Sequence, residues 1–478
     1  MTSLASSYSR SLYLSLAGLL GLGTAASAQD AYMHELVNQG WLSVQATEVL
    51  QPQSGEEFLM AGVNAGGSEL YVTTVDDQGQ PVSSFTYQPN AQGLQVTDVI
   101  TYELGGQELF AVLCRNYSME CYLFILDVQG TLYADWVYPI QHPTASQNFN
   151  AEHVAWNPQE ERLAILGHVN SYGPAYDVGL FTTDGLGEIV DEMRWYDFKT
   201  GSTFNSSQAI GLEYDPWSGG FLVGIQTSAW GVGAGFMLFP VSYTGDPQNA
   251  HTPWITKAFR GQGFSLDLTH DQVLVYGEDF AFGPGVSYSD VCLWMDDASN
   301  ILSGVTATPD FTRLANSQGA LEKVRDGAFG AVNPGIYSII GLSDNVTALT
   351  YFEVSPGAVA VRSRVSSNSF GYVGDLLHLQ NFAVNGAGFG LDQIVTGWTN
   401  GYYTAFSRRP STGELDPWCE TRPHDLDVSQ EPHGLLYPSI LVEYTFKQGG
   451  LMGSGDLKEK RKHGVVCDYP GFASGKVK

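Results

Sequence analysis

The chain has 478 residues, 43% hydrophobic and 12% aromatic, enough apolar surface for a large core and too much for a disordered protein. Only 15% of residues are charged and 55 are glycine, a balance that favours many strands joined by tight turns over long helices. The net charge is −28, and a surface of that sign repels nucleic acid and anionic membranes, both of which require cation-rich contacts.

The first 28 residues read as an export signal. Arg10 is the only charge ahead of the apolar run Leu12 to Leu22, and Thr24-Ala25-Ala26-Ser27-Ala28 supplies the small residues of a cleavage site before Gln29. That run is short for a bilayer, and no later stretch reaches the roughly 20 apolar residues a spanning helix needs. The mature chain is therefore expected to be secreted, on the cell surface or in the periplasm, with no integral membrane segment.

Beyond the signal, an apolar run ending at a small or flexible residue recurs seven times. The markers are Gly62, Leu113 (where the glycine is missing), Gly167, Gly224, Gly277, Gly341 and Gly397, at steps of 51, 54, 57, 53, 64 and 56 residues. Each marker is followed by a loop, a second apolar run and a turn such as Asp76-Asp77-Gln78-Gly79, Asp127-Val128-Gln129-Gly130, Thr183-Asp184-Gly185 or Tyr243-Thr244-Gly245. Gly, Asn and Asp supply the positive-φ or side-chain-bonded conformations that tight hairpins require. A further strand follows each turn and another precedes each marker, for example His153-Val154-Ala155-Trp156.

Four strands per unit at this period describe the blade of a β-propeller. The predicted fold is all-β: a single seven-bladed β-propeller of four-stranded antiparallel blades over residues 29–446, after the signal at 1–28 and before a short basic tail at 447–478. A string of β-sandwich domains is the alternative, disfavoured because no Pro- or Ser-rich linker separates pairs of repeats. To close the ring, the β-branched and aromatic segment Ser439 to Phe446 is expected to pair with the stretch from Trp41 to Leu50, removing exposed edges.

The repeats resemble those of the broad class of secreted repeat propellers, whose blades read apolar-apolar-Gly, loop, acid, apolar run, Asp-x-x-Gly. The resemblance covers roughly residues 45 to 425. The chain lacks the Gly-His and Trp-Asp pairs of WD40 blades, the paired glycines of kelch, the Ser-x-Asp-x-Gly-x-Thr-Trp box of sialidase-like propellers and the Ala/Trp repeat of quinoprotein dehydrogenases, so none of those activities is carried over.

Five cysteines suit an oxidising compartment. Cys114 and Cys121 bracket a six-residue loop between two apolar runs and are expected to form a bridge; Cys419 and Cys467 are the second expected pair, tying the tail to the body. Cys292 reads as a buried thiol. From Lys447 onward there are seven basic residues against three acids; setting these and Arg10 aside leaves 14 basic and 47 acidic residues in the body, a net of −33.

The loops between the second and third strands of all blades open on one face of a propeller. Here they carry His168, Tyr172 and Tyr176; Trp230; Glu278, Asp279, Phe280 and Tyr288; and Trp398 and Tyr402. Flat rings mixed with amides and acids suit recognition of a glycan or a protein ligand, although the same rings also serve to pack long loops together. His168, Tyr172, Glu278 and Asp279 are the rim groups able to do acid–base work in a polysaccharide lyase or glycoside hydrolase. The acids Glu69, Glu120, Asp177 and Asp290 ahead of the third strands read as loop caps. No cofactor is required; Ca²⁺ is left open at Asp76-Asp77 and Asp296-Asp297. The leading reading is a non-catalytic binding propeller for a glycan or protein ligand. A carbohydrate-active enzyme, or a structural role in which the tail docks a partner, are the alternatives.

Overall fold

The named elements of the computed structural model are all β-strands. The structure describes strands and most turns between Tyr32 and Glu443 and the strand Gly464–Asp468, with side chains between residues 45 and 299. Residues 1–31, 37–41, 141–148, 170–177, 197–203, 230–232, 410–425, 444–463 and 469–478, with shorter loops, lie outside that set, and with them the expected signal, Tyr172, Tyr176, Trp230, Tyr402 and Cys419.

The strands form seven antiparallel sheets among the described residues. In the first six, four strands are joined in the order they occur along the chain, as the repeat predicts; in the seventh the fourth strand comes from the N-terminal stretch. The first sheet runs Leu42–Glu48, Glu57–Val63, Leu70–Asp76 and Pro81–Tyr87. The second runs Gln95–Leu104, Gln107–Arg115, Cys121–Leu126 and Leu132–Tyr138. The third runs Phe149–Asn157, Arg162–Val169, Val178–Asp184 and Ile189–Tyr196. The fourth runs Phe204–Asp215, Gly220–Ala229, Gly233–Val241 and Trp254–Thr256. The fifth runs Phe259–Asp267, Gln272–Gly283, Val286–Asp297 and Asp310–Asn316, and the sixth runs from Lys323–Phe329 to Ala358–Ser366. In the seventh, His378–Ala383, Leu391–Thr399 and Tyr403–Arg409 are completed by the N-terminal strand Tyr32–Leu36.

The core is divided among the boundaries between successive sheets. Leu59, Ala61, Phe110 and Phe124 pack between the first and second sheets, Leu113, Ile125, Ile165 and Phe181 between the second and third. Ala164, Leu180, Val223 and Phe239 fill the next boundary, and Leu222, Phe236, Val273 and Val275 the one after. Glu57–Val63 and Cys121–Leu126 are buried at every residue. Cys121–Leu126 packs one face against the first sheet and the other against the third, which is why it reads as an unbroken apolar run rather than an alternating one. Burying one such Leu, Ile or Phe side chain contributes about 1.5–3 kcal/mol. The first strands of successive sheets pack side by side, from the first sheet to the seventh, and Leu42–Glu48 also meets His378–Ala383.

The turns follow the predicted chemistry. Asp127 Oδ1 accepts the backbone N–H groups of Gln129 and Thr131, and Asp184 Oδ1 accepts those of Leu186 and Glu188. Ser242 Oγ does the same for Thr244 and Asp246. In each turn the fourth residue is a glycine, at φ 78° (Gly130), 88° (Gly187) and 82° (Gly245), a region that L side chains enter at a cost.

Two expectations are corrected. Cys114 and Cys121 are free, buried thiols. The register pairs Cys114 with Tyr122 and Arg115 with Cys121. Side chains alternate along a strand, so Cys114 faces the first sheet and Cys121 the third, and no bridge can join them. The ends of the chain also pair elsewhere than expected. Leu441–Glu443 adds to the outer edge of the third sheet at Arg194–Tyr196, not to the stretch from Trp41 to Leu50. It is the last of three such additions: Leu426–Gln430 extends the fifth sheet and Gly434–Leu436 the fourth. This segment crosses three sheets in reverse order because each ends in an outer strand whose N–H and C=O groups are open to pairing. Within the expected tail, Gly464–Asp468 is a strand on Tyr32–Leu36 and carries Cys467.

Candidate functional site

Each marker residue lies inside the second strand of its sheet, not at its end. Facing it, the first strand is irregular in six sheets: between Leu42 and Gln45, Val96 and Asp98, Ala151 and His153, Ala209 and Gly211, Gly261 and Gly263, and Val324 and Asp326. A bulge inserts an unpaired residue, bends the strand and re-aims a side chain. The marker glycine belongs to the same device. At Gly167 an added Cβ would fall 2.0 Å from the carbonyl oxygen of Asn150 on the bulged strand. At Gly167 the marker glycine therefore records close backbone approach beside a bulge, and at Gly224 it makes room for the Phe264 ring.

The bulges lie toward the end of each sheet that carries the second-to-third-strand loop. Glu152 is the bulged residue of the third sheet. It forms an ion pair with Arg115, the last residue of the second strand of the second sheet, and so ties the two sheets together. Arg115 also donates through Nε to Gln95 Oε1 at 3.1 Å. His168, the one predicted rim residue whose side chain is described, is buried, with Nδ1 3.9 Å from Glu152 Oε1. Burial raises the Glu152 carboxyl above the usual carboxylate range, and the Arg115 guanidinium pulls it back.

A second acid sits one step along the same boundary. Asp98 follows the bulge of the second sheet, accepts Val154 N–H at 2.9 Å from the third, and lies 4.0 Å from His153 Nδ1. Just above, Asn116 Nδ2 donates to Glu120 Oε2 (2.7 Å) and to the Tyr122 hydroxyl (3.0 Å), while Asn116 Oδ1 accepts Glu120 N–H. Glu69 is held in the same way by Gln88 and Tyr71. The caps on these two loops are the asparagines: Asn116 Oδ1 accepts Glu120 N–H and Asn64 Oδ1 accepts Ser68 N–H at 2.8 Å, while the two carboxylates bond side chains.

Among the described residues, this boundary gathers a carboxylate, a guanidinium and an imidazole within reach of one another. Arg115, Glu152 and Asp98 are absent from the sequence-level site. Glu152 leaves one trace there, the marker Gly167 of the neighbouring strand, beside which a backbone comes close; in the second sheet the marker is Leu113, and Arg115 and Asp98 leave none. Of the other predicted rim residues, Glu278, Asp279 and Phe280 lie in the strand Gln272–Gly283, not in a loop, and Tyr288 lies in Val286–Asp297. Phe280 is paired with Ser289 and Ala281 with Tyr288, so this hairpin carries the strands well beyond Gly277. Trp398 lies in Leu391–Thr399, opposite Thr404. No group of three or more His, Cys, Asp or Glu able to hold a metal is present among the described residues. Asp76 ends the third strand of the first sheet opposite Glu57, and Asp296 and Asp297 end that of the fifth opposite Val273 and Gln272.

No protein-family model matches the chain, and neither does any curated protein. Similar solved structures include Raptor of Chaetomium thermophilum, at 12% identity and a TM-score of 0.43 over 80% of this chain and 30% of that one. The sialidase of Trypanosoma rangeli, solved with sialic acid, is 10% identical, with a TM-score of 0.40 over 77% of this chain and 58% of that one. A mutant Aleuria aurantia lectin, solved with alpha-methyl-L-fucoside, is 10% identical, with a TM-score of 0.35 over 69% and 98% of the two chains. The chain thus spans under a third of the Raptor chain and just over half of the sialidase. At these scores the likenesses add nothing to what strand pairing already says of the fold.

Proposed function

We propose that the chain is an exported, closed seven-bladed β-propeller that binds a glycan or protein ligand on the face of its second-to-third-strand loops, without turning it over. Closure is supported by the contact of Leu42–Glu48 with His378–Ala383 and by the N-terminal strand completing the seventh sheet. Export rests on the signal-like pattern of residues 1–28. The observation that carries the binding reading is the repeated first-strand bulge, which turns six inner strands at one level, next to the Arg115–Glu152–His168 group. A binding rim needs fixed polar groups, and here the acid is held by a guanidinium from the neighbouring sheet. Ca²⁺ at Asp76-Asp77 or Asp296-Asp297 is part of the proposal only if binding proves sensitive to chelation.

A catalytic reading draws on the same spot, because an imidazole beside a carboxyl raised by burial is able to exchange a proton with substrate. The test is a glycan array followed by product analysis. Retained ligand with no sugar released supports binding, and loss of that retention in Trp398→Ala or Trp230→Ala places it on the rim. Release of unsaturated or reducing sugar, abolished in His168→Ala or Glu278→Ala, replaces binding with a lyase or hydrolase. Loss of a partner protein on deleting residues 447–478, with rim variants unaffected, replaces both with an assembly role.

A further inference from the structure

The opposite end of the sheets, made by the turns between first and second strands and between third and fourth, has its own surface chemistry. Leu50, Tyr133, Leu186, Val190, Trp217 and Tyr243 are the exposed large hydrophobic side chains among the described residues, and all six lie in or beside such turns. The two on the fourth sheet stand apart from the rest. Trp217, 49% exposed, is in the turn after the first strand, and Tyr243, 37% exposed, is in the turn after the third. These turns abut: a Cβ added at Gly220 would come within 3.0 Å of Ser242 Cα.

Both turns touch the first turn of the third sheet. Asn157 Nδ2 donates to the carbonyl of Gly219 at 2.9 Å, two residues from Trp217. Arg162, at the other end of that turn, lies over the Tyr243 ring with its guanidinium carbon 4.9 Å from the ring centre. Arg162 is held in place by an ion pair with Asp191, which also accepts the Thr182 hydroxyl at 2.5 Å. The Trp217 backbone is fixed as well, since its main-chain N–H donates to Asp215 Oδ1 at 2.9 Å. Two aromatic side chains on anchored backbones thus present open surface beside a planar cation already neutralised by its own acid.

Exposed rings on anchored, abutting turns lose little backbone entropy on meeting a flat apolar ligand face. The surrounding charge selects among ligands. Glu160 and Glu161 are exposed in the turn between Asn157 and Arg162, and Asp246, in the same turn as Tyr243, is half exposed. Acidic sugars are repelled, whereas neutral sugar hydroxyls find carboxylate acceptors while their C–H faces stack on the rings.

We infer that the turn end of the third and fourth sheets is a second ligand site, distinct from the loop rim, that takes neutral oligosaccharides through Trp217 and Tyr243. Calorimetric titration with cellohexaose and chitohexaose, and with hexagalacturonate as the charged counterpart, tests it on the full chain. At least one neutral hexaose gives a saturable heat, hexagalacturonate gives none, and Trp217→Ala and Tyr243→Ala each weaken binding by about tenfold or more. Trp217→Phe keeps part of the affinity. Leu50→Ala, at an exposed side chain on the turn end of the first sheet, leaves it unchanged, which separates this site from the other exposed hydrophobic side chains. Thermal melts of the two alanine variants match wild type, since both rings are exposed; if Tyr243→Ala unfolds, Trp217→Ala alone decides. Absence of heat with both neutral hexaoses, equal binding of hexagalacturonate, or undiminished binding by Trp217→Ala would overturn the inference.

Discussion

The Tyr196 hydroxyl donates to the carbonyl of Gly245 at 2.6 Å, joining the end of the third sheet to a turn of the fourth. The same bond recurs one sheet back, from Tyr138 to Gly187, and again from Tyr87 to Gly130, both at 2.6 Å. Each tyrosine is the last residue of a fourth strand, and each glycine is the positive-φ fourth residue of the next sheet's turn. Burial holds all three phenols far above their ordinary pKa, so they remain donors at any physiological pH.

Replacing Tyr138 or Tyr196 with Phe keeps the ring and leaves the glycine carbonyl without its donor. Each substitution is expected to cost about 1–3 kcal/mol. Urea unfolding of the two single variants and the double variant measures it, and the two losses should add to within about 0.5 kcal/mol, because the latches belong to different boundaries. A loss below a few tenths of a kcal/mol in both would show that the bond only decorates the boundary.

Gly167→Ala tests the bulge. The new methyl meets backbone on the facing strand at 2.0 Å and the Phe149 ring at 2.6 Å, so the strands must separate, at about 3 kcal/mol. Gly105→Ala is the contrast: its Cβ meets nothing within 4 Å, and its φ of 61° costs only about 1–2 kcal/mol. Equal melting temperatures for the two variants would refute the close-approach account of the marker glycine.

Glu213, on the first strand of the fourth sheet, accepts the Leu266 N–H of the fifth at 3.1 Å. Burial, only partly offset by that bond, pushes its carboxyl up to about 8. The folded pKa therefore lies above the unfolded one. The stability this group adds is complete below the unfolded carboxylate range and is lost as pH rises through about 8. Glu213→Gln removes the titration. The stability difference, wild type minus variant, should fall steadily between about pH 4.5 and pH 8 and then level off. A difference that is flat with pH, or that grows as pH rises, contradicts the raised pKa.

A chain ending at residue 425 lacks the strands that extend the fifth, fourth and third sheets. Three outer strands, Asp310–Asn316, Trp254–Thr256 and Ile189–Tyr196, then present unpaired backbone groups, an invitation to edge pairing between copies. Light scattering is expected to show concentration-dependent association of the shortened chain but not of the full one. A monodisperse shortened chain with an unchanged melting temperature would mean the added strands seal nothing.

The sequence alone determined the seven-fold strand repeat, the four-strand unit and the turn chemistry at Asp127 and Asp184, because period and turn preference are local properties of consecutive residues. It also located His168 at a sheet end. It could not show that Cys114 and Cys121 face opposite neighbours, since that depends on one residue of register. Nor could it show that Glu152 meets Arg115, or that residues 426–443 turn back along three sheets. Those contacts join residues tens to hundreds of positions apart, and only the packing of whole sheets against one another decides which of them meet.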